Sequence, residues 1–213
     1  MLTSEINFVN FKKQLKSKKI NNSFHSLLSE NNSILQSLSK NYQDSFDNKF
    51  TKKFKKLDNF RLLGMGGSTL GSQAIYQFLK HKIKKKFDFI DNLQSNKKTN
   101  KKKNTNLIIS KSGNTIETLV NANILIKKKN KNIFITENKE NYLHQFAKQL
   151  KSDVIHHNNF IGGRYSVLSE VGMLPAELMG LKSKNFRQYN PLIKNKKFVS
   201  GLLNNVASTL YFL

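Results

Sequence analysis

Short apolar runs alternate with helical patterns through the middle of this chain, and this alternation constrains the fold more than any other feature. The candidate strands are Phe60–Leu63, Phe87–Ile90, Leu107–Ser110, Ile133–Thr136 and Val154–His156. The helical patterns between them are Ser68–Lys80, Thr115–Lys129 and about Asn141–Leu150. Such alternation is typical of a parallel sheet covered on both faces. We therefore predict an α/β fold with a doubly wound, five-stranded parallel sheet flanked by helices, preceded by a helical N-terminal segment.

A glycine-rich segment, Gly64-Met-Gly-Gly-Ser-Thr-Leu-Gly71, follows the first of these strands. Glycines permit positive φ and a close approach of the backbone to a ligand, and the N-terminus of the next helix attracts anions. We expect Ser68 to cap that helix. A dinucleotide site is weakened because Thr69 replaces the third glycine of its motif, although Asp91 stands where a ribose-binding acid would be. A nucleoside-triphosphate loop is disfavoured because Ser72 replaces the required lysine. A plain tight turn is the remaining alternative.

A second loop, Ser110-Lys-Ser-Gly-Asn-Thr115, follows the strand Leu107–Ser110 in the same way. It contains three hydroxyl groups and one positive charge, on Ser110, Ser112, Thr115 and Lys111. We expect Gly113 and Asn114 to adopt positive φ and to curl the backbone N–H groups into an anion-binding nest. Ordinary helix capping by serine and threonine is the alternative. Because both loops leave the carboxyl ends of strands in one sheet, we expect both helix N-termini to face one crevice.

The third segment is Ile161-Gly-Gly-Arg-Tyr-Ser-Val-Leu-Ser169. Arg164 follows two glycines, and arginine is rare here, since the other arginines are Arg61 and Arg187 against 34 lysines. A guanidinium at this place is suited to holding an anionic oxygen or to offsetting negative charge that develops during a reaction. A surface arginine that caps a turn is the alternative.

These three segments resemble the phosphoglucose isomerase family, which has the sugar isomerase (SIS) fold. The matching motifs are Gly64–Gly71, Ser110–Thr115 with Glu117, and Gly162–Ser166 continuing into Val171-Gly-Met-Leu-Pro175. The resemblance implies that phosphate is held by Ser110, Lys111, Ser112 and Thr115, with Gly67 and Ser68 closing the site. It also implies that Arg164 stabilises an enediol(ate), and that no metal or organic cofactor takes part.

Members of this family are intramolecular oxidoreductases that interconvert glucose 6-phosphate and fructose 6-phosphate in glycolysis and gluconeogenesis. Its base is a glutamate in a second SIS domain, followed by a histidine and a lysine. Glu170, Glu177, His156 and His157 stand in no matching motif. Since the chain stops soon after one SIS domain, we expect it to bind the phosphate and to be inactive alone. A non-catalytic phosphosugar-binding regulatory module and another SIS sugar-phosphate isomerase are the alternatives.

The expected organisation has three parts: residues 1–56 as a helical segment, 57–160 as the first SIS domain, and 161–213 leading toward a second one. An apolar helical stripe near the end has no obvious cover in this chain. Its members are Phe198, Val199, Leu202, Leu203, Val206, Leu210 and Phe212. We expect this stripe to pack on another domain or a second subunit, and the resemblance implies a homodimer for the full-length form.

Composition excludes several classes of protein. The net charge of +24 comes almost wholly from lysines in runs between elements, as in the loop Ser95–Asn106, so we predict no nucleic-acid partner. No run of about 18 apolar residues is present, and we expect neither a membrane span nor a secretory signal. The absence of cysteine excludes disulfides and fits a cytoplasmic protein. His156 and His157 point to opposite faces of a strand, so we expect no metal site there.

Overall fold

The computed structural model describes residues 17–93, 104–188 and 193–211 of the chain. Most of the predicted loop Ser95–Asn106, and Phe212 of the predicted stripe, lie outside these residues. The chain divides into two compact units, one formed by Met1–Asn41 and Arg187–Leu213 and the other by Tyr42–Phe186.

In the described residues, a helical segment precedes the sheet, and helices follow most of its strands, as the sequence predicts. The helices are α1 (Lys18–Ser29), α2 (Ser33–Ser37), α3 (Asn48–Lys52), α4 (Gly67–Phe78), α5 (Ile116–Leu125), α6 (Tyr142–Leu150), α7 (Glu170–Leu178) and α8 (Lys196–Tyr211). The strands are β1 (Asn59–Leu63), β2 (Lys86–Ile90), β3 (Thr105–Ile109), β4 (Asn132–Glu137) and β5 (Asp153–His157). Short 3-10 turns occupy Lys80–Lys82, Gly163–Leu168 and Ser183–Phe186.

The five strands form one parallel sheet in the order β2-β1-β3-β4-β5. The central strands are buried on both faces, because residues of alternating direction along each strand enter two different apolar clusters. Leu62, Leu107 and Ile133 face the cluster that contains Ile75 of α4 and Met173 of α7. Their neighbours face the opposite cluster, in which Leu63, Ile108 and Phe134 pack with residues of α5 and α6. The predicted doubly wound α/β fold is confirmed.

Helix α5 is shorter than the predicted Thr115–Lys129, because it ends at Leu125. Ile126 leaves the helix with extended backbone angles (φ −92°, ψ 136°), and its side chain is buried in the cluster beneath α5 and α6. Burial of this apolar side chain outweighs the helix propensity of the lysines that follow, and those lysines remain exposed.

In the unit formed by the two ends of the chain, α1 and α8 lie against each other. Apolar residues of both helices line one groove, among them Ile20 and Phe24 of α1 and Val199 and Leu203 of α8. The expectation that this stripe has no cover in the chain is therefore wrong for Val199 and Leu203, which lie against α1. Val206 and Leu210 of the same stripe are exposed.

Candidate functional site

The arrangement of α4 and α5 opens a crevice between two neighbouring strands. Strands β1 and β3 pair side by side, with Leu63 opposite Ile108. The helix that follows β1 packs on one face of the sheet, whereas the helix that follows β3 packs on the other. Such a reversal of winding direction is where open α/β sheets bind ligands, at the carboxyl ends of the strands. The glycine-rich loop and the serine-rich loop are the two segments that flank this crevice.

The glycine-rich loop carries one residue in the left-handed region of φ. Gly66 has φ +53° and directly precedes α4, so it takes the N-cap position. The prediction that Ser68 is the N-cap is wrong, because the turn at Gly66 starts the helix earlier and places Ser68 within its first turn. A Cβ on Gly64 would lie 2.8 Å from the Ile109 carbonyl oxygen, so the backbones that leave β1 and β3 approach closely.

The serine-rich loop is folded around its own hydroxyl groups. The Oγ of Ser110 lies 2.9 Å from the Oγ1 of Thr115, and it also accepts a hydrogen bond from the Gly113 amide at 3.2 Å. Gly113 has φ +68°, as predicted, whereas Asn114 does not adopt positive φ, so that prediction is wrong. One glycine suffices for the turn, and the Asn114 side chain instead accepts a hydrogen bond from the Tyr142 amide at 3.3 Å.

The end of β4 and Asn141, the residue before α6, hold this loop in place, and the sequence reasoning missed that support. The carbonyl oxygen of Lys111 accepts hydrogen bonds from Thr136 Oγ1 and the Glu137 amide, at 3.2 and 3.1 Å. Asn141 donates to Thr136 Oγ1 at 3.0 Å, and its own oxygen caps α6. Asparagine just before a helical pattern is an N-cap signal, but its contact with the loop has no local signal.

The turn that carries Arg164 packs directly on the first turn of α4. A Cβ on Gly67 would overlap the backbone of Gly163, so these two glycines let the chains touch. The Ser166 hydroxyl lies 2.8 Å from the Gly163 carbonyl oxygen and 3.3 Å from that of Gly67. The structure therefore brings Gly67, Ser68 and the Arg164 turn together beside the crevice.

Two cations near the crevice are available to a ligand. Lys111 is half-buried and Arg164 is exposed. Within the ranges that the structure describes, neither side chain has an ion-pair partner. Ser112 is exposed, Ser68 and Thr115 are half-buried, and Ser110 is buried. The site thus offers hydroxyl groups, helix N-termini and positive charge to an anion.

The acids and histidines outside the three motifs lie elsewhere. Glu177 accepts a hydrogen bond from the Ser183 amide at 2.7 Å, which is a structural contact below α7. His156 is exposed, whereas His157 is buried beside Glu170. No group of three or more histidines, aspartates or glutamates in the described part of the chain could hold a metal ion.

Comparisons with known proteins agree on one family. Residues 13–200 match the sequence model of the family described as phosphoglucose isomerase. A glucose-6-phosphate isomerase from Methanocaldococcus jannaschii is 32% identical over 181 residues, which are 75% of this chain and 44% of that protein. One from Acholeplasma laidlawii is 37% identical over 155 residues, which are 62% of this chain and 36% of that protein.

A solved structure shares the fold. The crystal structure of a hypothetical protein from Thermus thermophilus has a TM-score of 0.67 at 21% identity, covering 91% of this chain and 52% of that one. The chain spans less than half the length of the two curated relatives, since the matched residues cover 44% of one and 36% of the other. None of the described helices combines the length and apolarity needed to cross a bilayer.

Proposed function

The chain belongs to the phosphoglucose isomerase family, and we propose that it binds the phosphate group of glucose 6-phosphate and fructose 6-phosphate for their interconversion. The observation that carries the proposal is the crevice between β1 and β3, flanked by the N-termini of α4 and α5. The first turn of α5 presents N–H groups that suit a phosphate dianion, whereas at α4 the amides of Ser68 and Thr69 already donate to the carbonyl oxygens of Met65 and Gly66.

The phosphate contacts are assigned to the serine-rich loop. Ser110, Ser112 and Thr115 offer hydroxyl groups, and the ammonium of Lys111 offers a charge that no carboxylate in the described ranges neutralises. The hydrogen bonds from Ser110 to Thr115 and Gly113 fix the loop before a ligand arrives. A loop that is already ordered loses less conformational entropy on binding. Gly67 and Ser68 border the same crevice from the side of α4.

Arg164 is assigned the role of stabilising charge during proton transfer. Movement of a proton between C2 and C1 passes through an enediol(ate), and a guanidinium placed near its oxygens lowers the energy of that species. The contact between Gly67 and Gly163 brings the Arg164 turn to the start of α4, where the phosphate loop is close by. We assign the base that removes the proton to no residue of this chain. A cytoplasmic location and a homodimeric full-length form are also part of the proposal.

The test is a titration of the 213-residue chain with glucose 6-phosphate, followed by ³¹P NMR at low salt. Lys111→Gln removes one charge from the site, and Lys128→Gln removes the same charge from an exposed position after α5. We expect Lys111→Gln to weaken binding by about tenfold, as for a lost charge-assisted hydrogen bond, and Lys128→Gln by less than about twofold.

A second variant tests the hydroxyl groups. Ser110→Ala with Thr115→Ala removes two proposed phosphate donors, together with the hydrogen bond between them. We expect at least a tenfold loss of affinity, on the order of one to two lost hydrogen bonds. Unchanged affinity in this double variant, or equal losses in Lys111→Gln and Lys128→Gln, would refute the assignment of this loop to the phosphate.

A further inference from the structure

A buried histidine and a buried glutamate lie in contact at the two ends of the segment that carries Arg164. His157 is the last residue of β5 and Glu170 is the first residue of α7, and each is 2% exposed. The Nδ1 of His157 lies 3.4 Å from the Oε2 of Glu170. Everything between these residues, including Gly162 and Arg164, forms a loop whose base is this pair.

The other ring nitrogen of His157 contacts the loop itself. Its Nε2 lies 3.0 Å from the carbonyl oxygen of Ile161, the residue just before Gly162. Both ring nitrogens therefore face oxygen acceptors. A neutral imidazole has one N–H group and can donate in only one direction, whereas an imidazolium donates in both. Of the two contacts, the one at Nε2 has hydrogen-bond geometry, whereas the one between Nδ1 and Oε2 is a close contact without it.

Glu170 is held as a carboxylate. Burial by itself raises the pKa of Glu170, but the adjacent His157 ring and hydrogen bonds from its own backbone and from Tyr42 together hold that pKa below its ordinary value. Its Oε1 accepts from the Tyr42 hydroxyl at 2.9 Å and from the Ser45 amide at 3.2 Å. The acid is thus satisfied on one oxygen by the segment before α3, and the other oxygen faces the ring of His157.

We propose that His157 is a positioning residue: its buried ring lies between the Ile161 carbonyl and Glu170 and holds the Arg164 turn against the first turn of α4. Its effect on sugar-phosphate binding rests on the function proposed above. Its effect on the turn is a property of this chain alone. The Arg164 turn touches α4 through the contact of Gly163 with Gly67, so release of the turn moves Arg164 away from the crevice.

The charge on Glu170 sets an acid limit for the turn. The titratable groups around His157 are Glu170 on α7, Tyr42 in the segment before α3, and Glu137, which is its register partner on β4. The pKa of Glu170 is lowered, so the turn is held where Glu170 is ionised and is released in acid as Glu170 gains a proton.

The experiment measures hydrogen exchange by NMR in His157→Gln and in His156→Gln. His156 precedes His157 on the same strand and is exposed, so it is the matched control. The reporters are the amides of Tyr165 and Ser169, which donate to the carbonyl oxygens of Gly162 and Ser166 at 3.0 Å each. The amides of β3 report on global unfolding.

We expect His157→Gln to speed exchange of the two reporter amides by about tenfold, as for one lost hydrogen bond, and the β3 amides by less than about twofold. His156→Gln should match the wild type. Equal reporter rates in both variants, or equal acceleration of the β3 amides in His157→Gln, would overturn the proposal.

A pH titration of the wild type keeps the test independent of how well the variant folds. After correction for intrinsic exchange, the reporter amides should lose protection in acid with the same midpoint as the carboxyl ¹³C signal of Glu170. A turn that stays protected after Glu170 is protonated would overturn the proposal. In a second step, glucose 6-phosphate is added to the wild type and to His157→Gln. If the wild type does not bind it, only the proposed function is refuted, and the role of His157 in holding the turn stands. Where the wild type binds, we expect weaker binding by His157→Gln, and unchanged affinity with a released turn refutes the link to the ligand.

Discussion

The contact between Gly67 and Gly163 makes a sharp prediction about a single methyl group. Gly67 is the first residue of α4, and a Cβ placed there would overlap the carbonyl oxygen, carbonyl carbon and Cα of Gly163. All three atoms belong to the backbone, so no side-chain rotation can relieve the overlap. Gly67→Ala must therefore displace either the start of α4 or the Arg164 turn.

The magnitude follows from two opposing effects. Overpacking at a tight contact costs about 1–3 kcal/mol, while replacing glycine by alanine in a helix gains at most about 1 kcal/mol. The net loss of stability is therefore about 1–2 kcal/mol. For a chain of this size that loss corresponds to a decrease in Tm of roughly 2–8 °C. If the turn moves instead, the hydrogen bond from Ser166 to Gly67 is lost and the affinity for glucose 6-phosphate falls with it.

The other partner of the same contact supplies the control. A Cβ on Gly163 would find its nearest neighbour, the Cα of Gly67, at 3.8 Å, which is ordinary van der Waals contact. Both alanine variants are compared by thermal unfolding and by ³¹P titration with glucose 6-phosphate. We expect Gly163→Ala to behave as the wild type in both assays. A Gly67→Ala variant as stable and as tightly binding as Gly163→Ala would show that the two segments are not packed as described.

Two other predictions concern the serine-rich loop and the buried acid. Gly113 combines φ +68° with a Cβ position that would overlap the Asn141 side chain, whereas Gly180 has φ +93° and open space around it. By urea unfolding, we expect Gly113→Ala to cost about 1–2 kcal/mol more than Gly180→Ala, because only the first adds overlap to backbone strain; equal costs would contradict this packing. The pKa of Glu170 is lowered in the folded state, so its contribution to stability is present above its unfolded pKa and is lost as pH falls through the folded one. The stability advantage of the wild type over Glu170→Gln should therefore shrink below about pH 4, and a constant difference would contradict the lowered pKa.

Most of the sheet could be predicted from sequence because its strands are continuous apolar runs. Observed strand ends differ from the predicted ones by only one or two residues, as for β4 at Asn132–Glu137. The ends of the helices were harder to predict from the sequence. The lysines after α5 favour a helix locally, but burial of Ile126 ends it at Leu125, and no local pattern shows which apolar residue the sheet will cover. The cap of α4 was missed for a similar reason, since Gly66 starts the helix through positive φ rather than through a side chain.

The candidate site could likewise be predicted from the sequence only in part. Its three motifs are local, and the structure places Gly67 against the Arg164 turn, with the loop Ser110–Thr115 at the end of the adjacent strand β3. The supporting contacts join distant parts of the chain, such as Tyr42 with Glu170 and Asn141 with the serine-rich loop. Each of these residues is unremarkable in its own segment, so only the folded chain shows what it supports.

The three arginines show that the rarity of a residue in the sequence does not by itself identify a functional residue. Rarity of arginine in a lysine-rich chain suggests a special role for Arg164, yet Arg61 and Arg187 are equally rare and both are buried. Arg61 lies within the sheet, 3.8 Å from Asp88, so a structural demand accounts for it. Arg164 differs because it is exposed on a turn that packs against the crevice, and no carboxylate in the described ranges neutralises it. A cation that the fold itself does not use is free to act on a ligand, and this makes exposure a stronger argument than rarity for the role of Arg164.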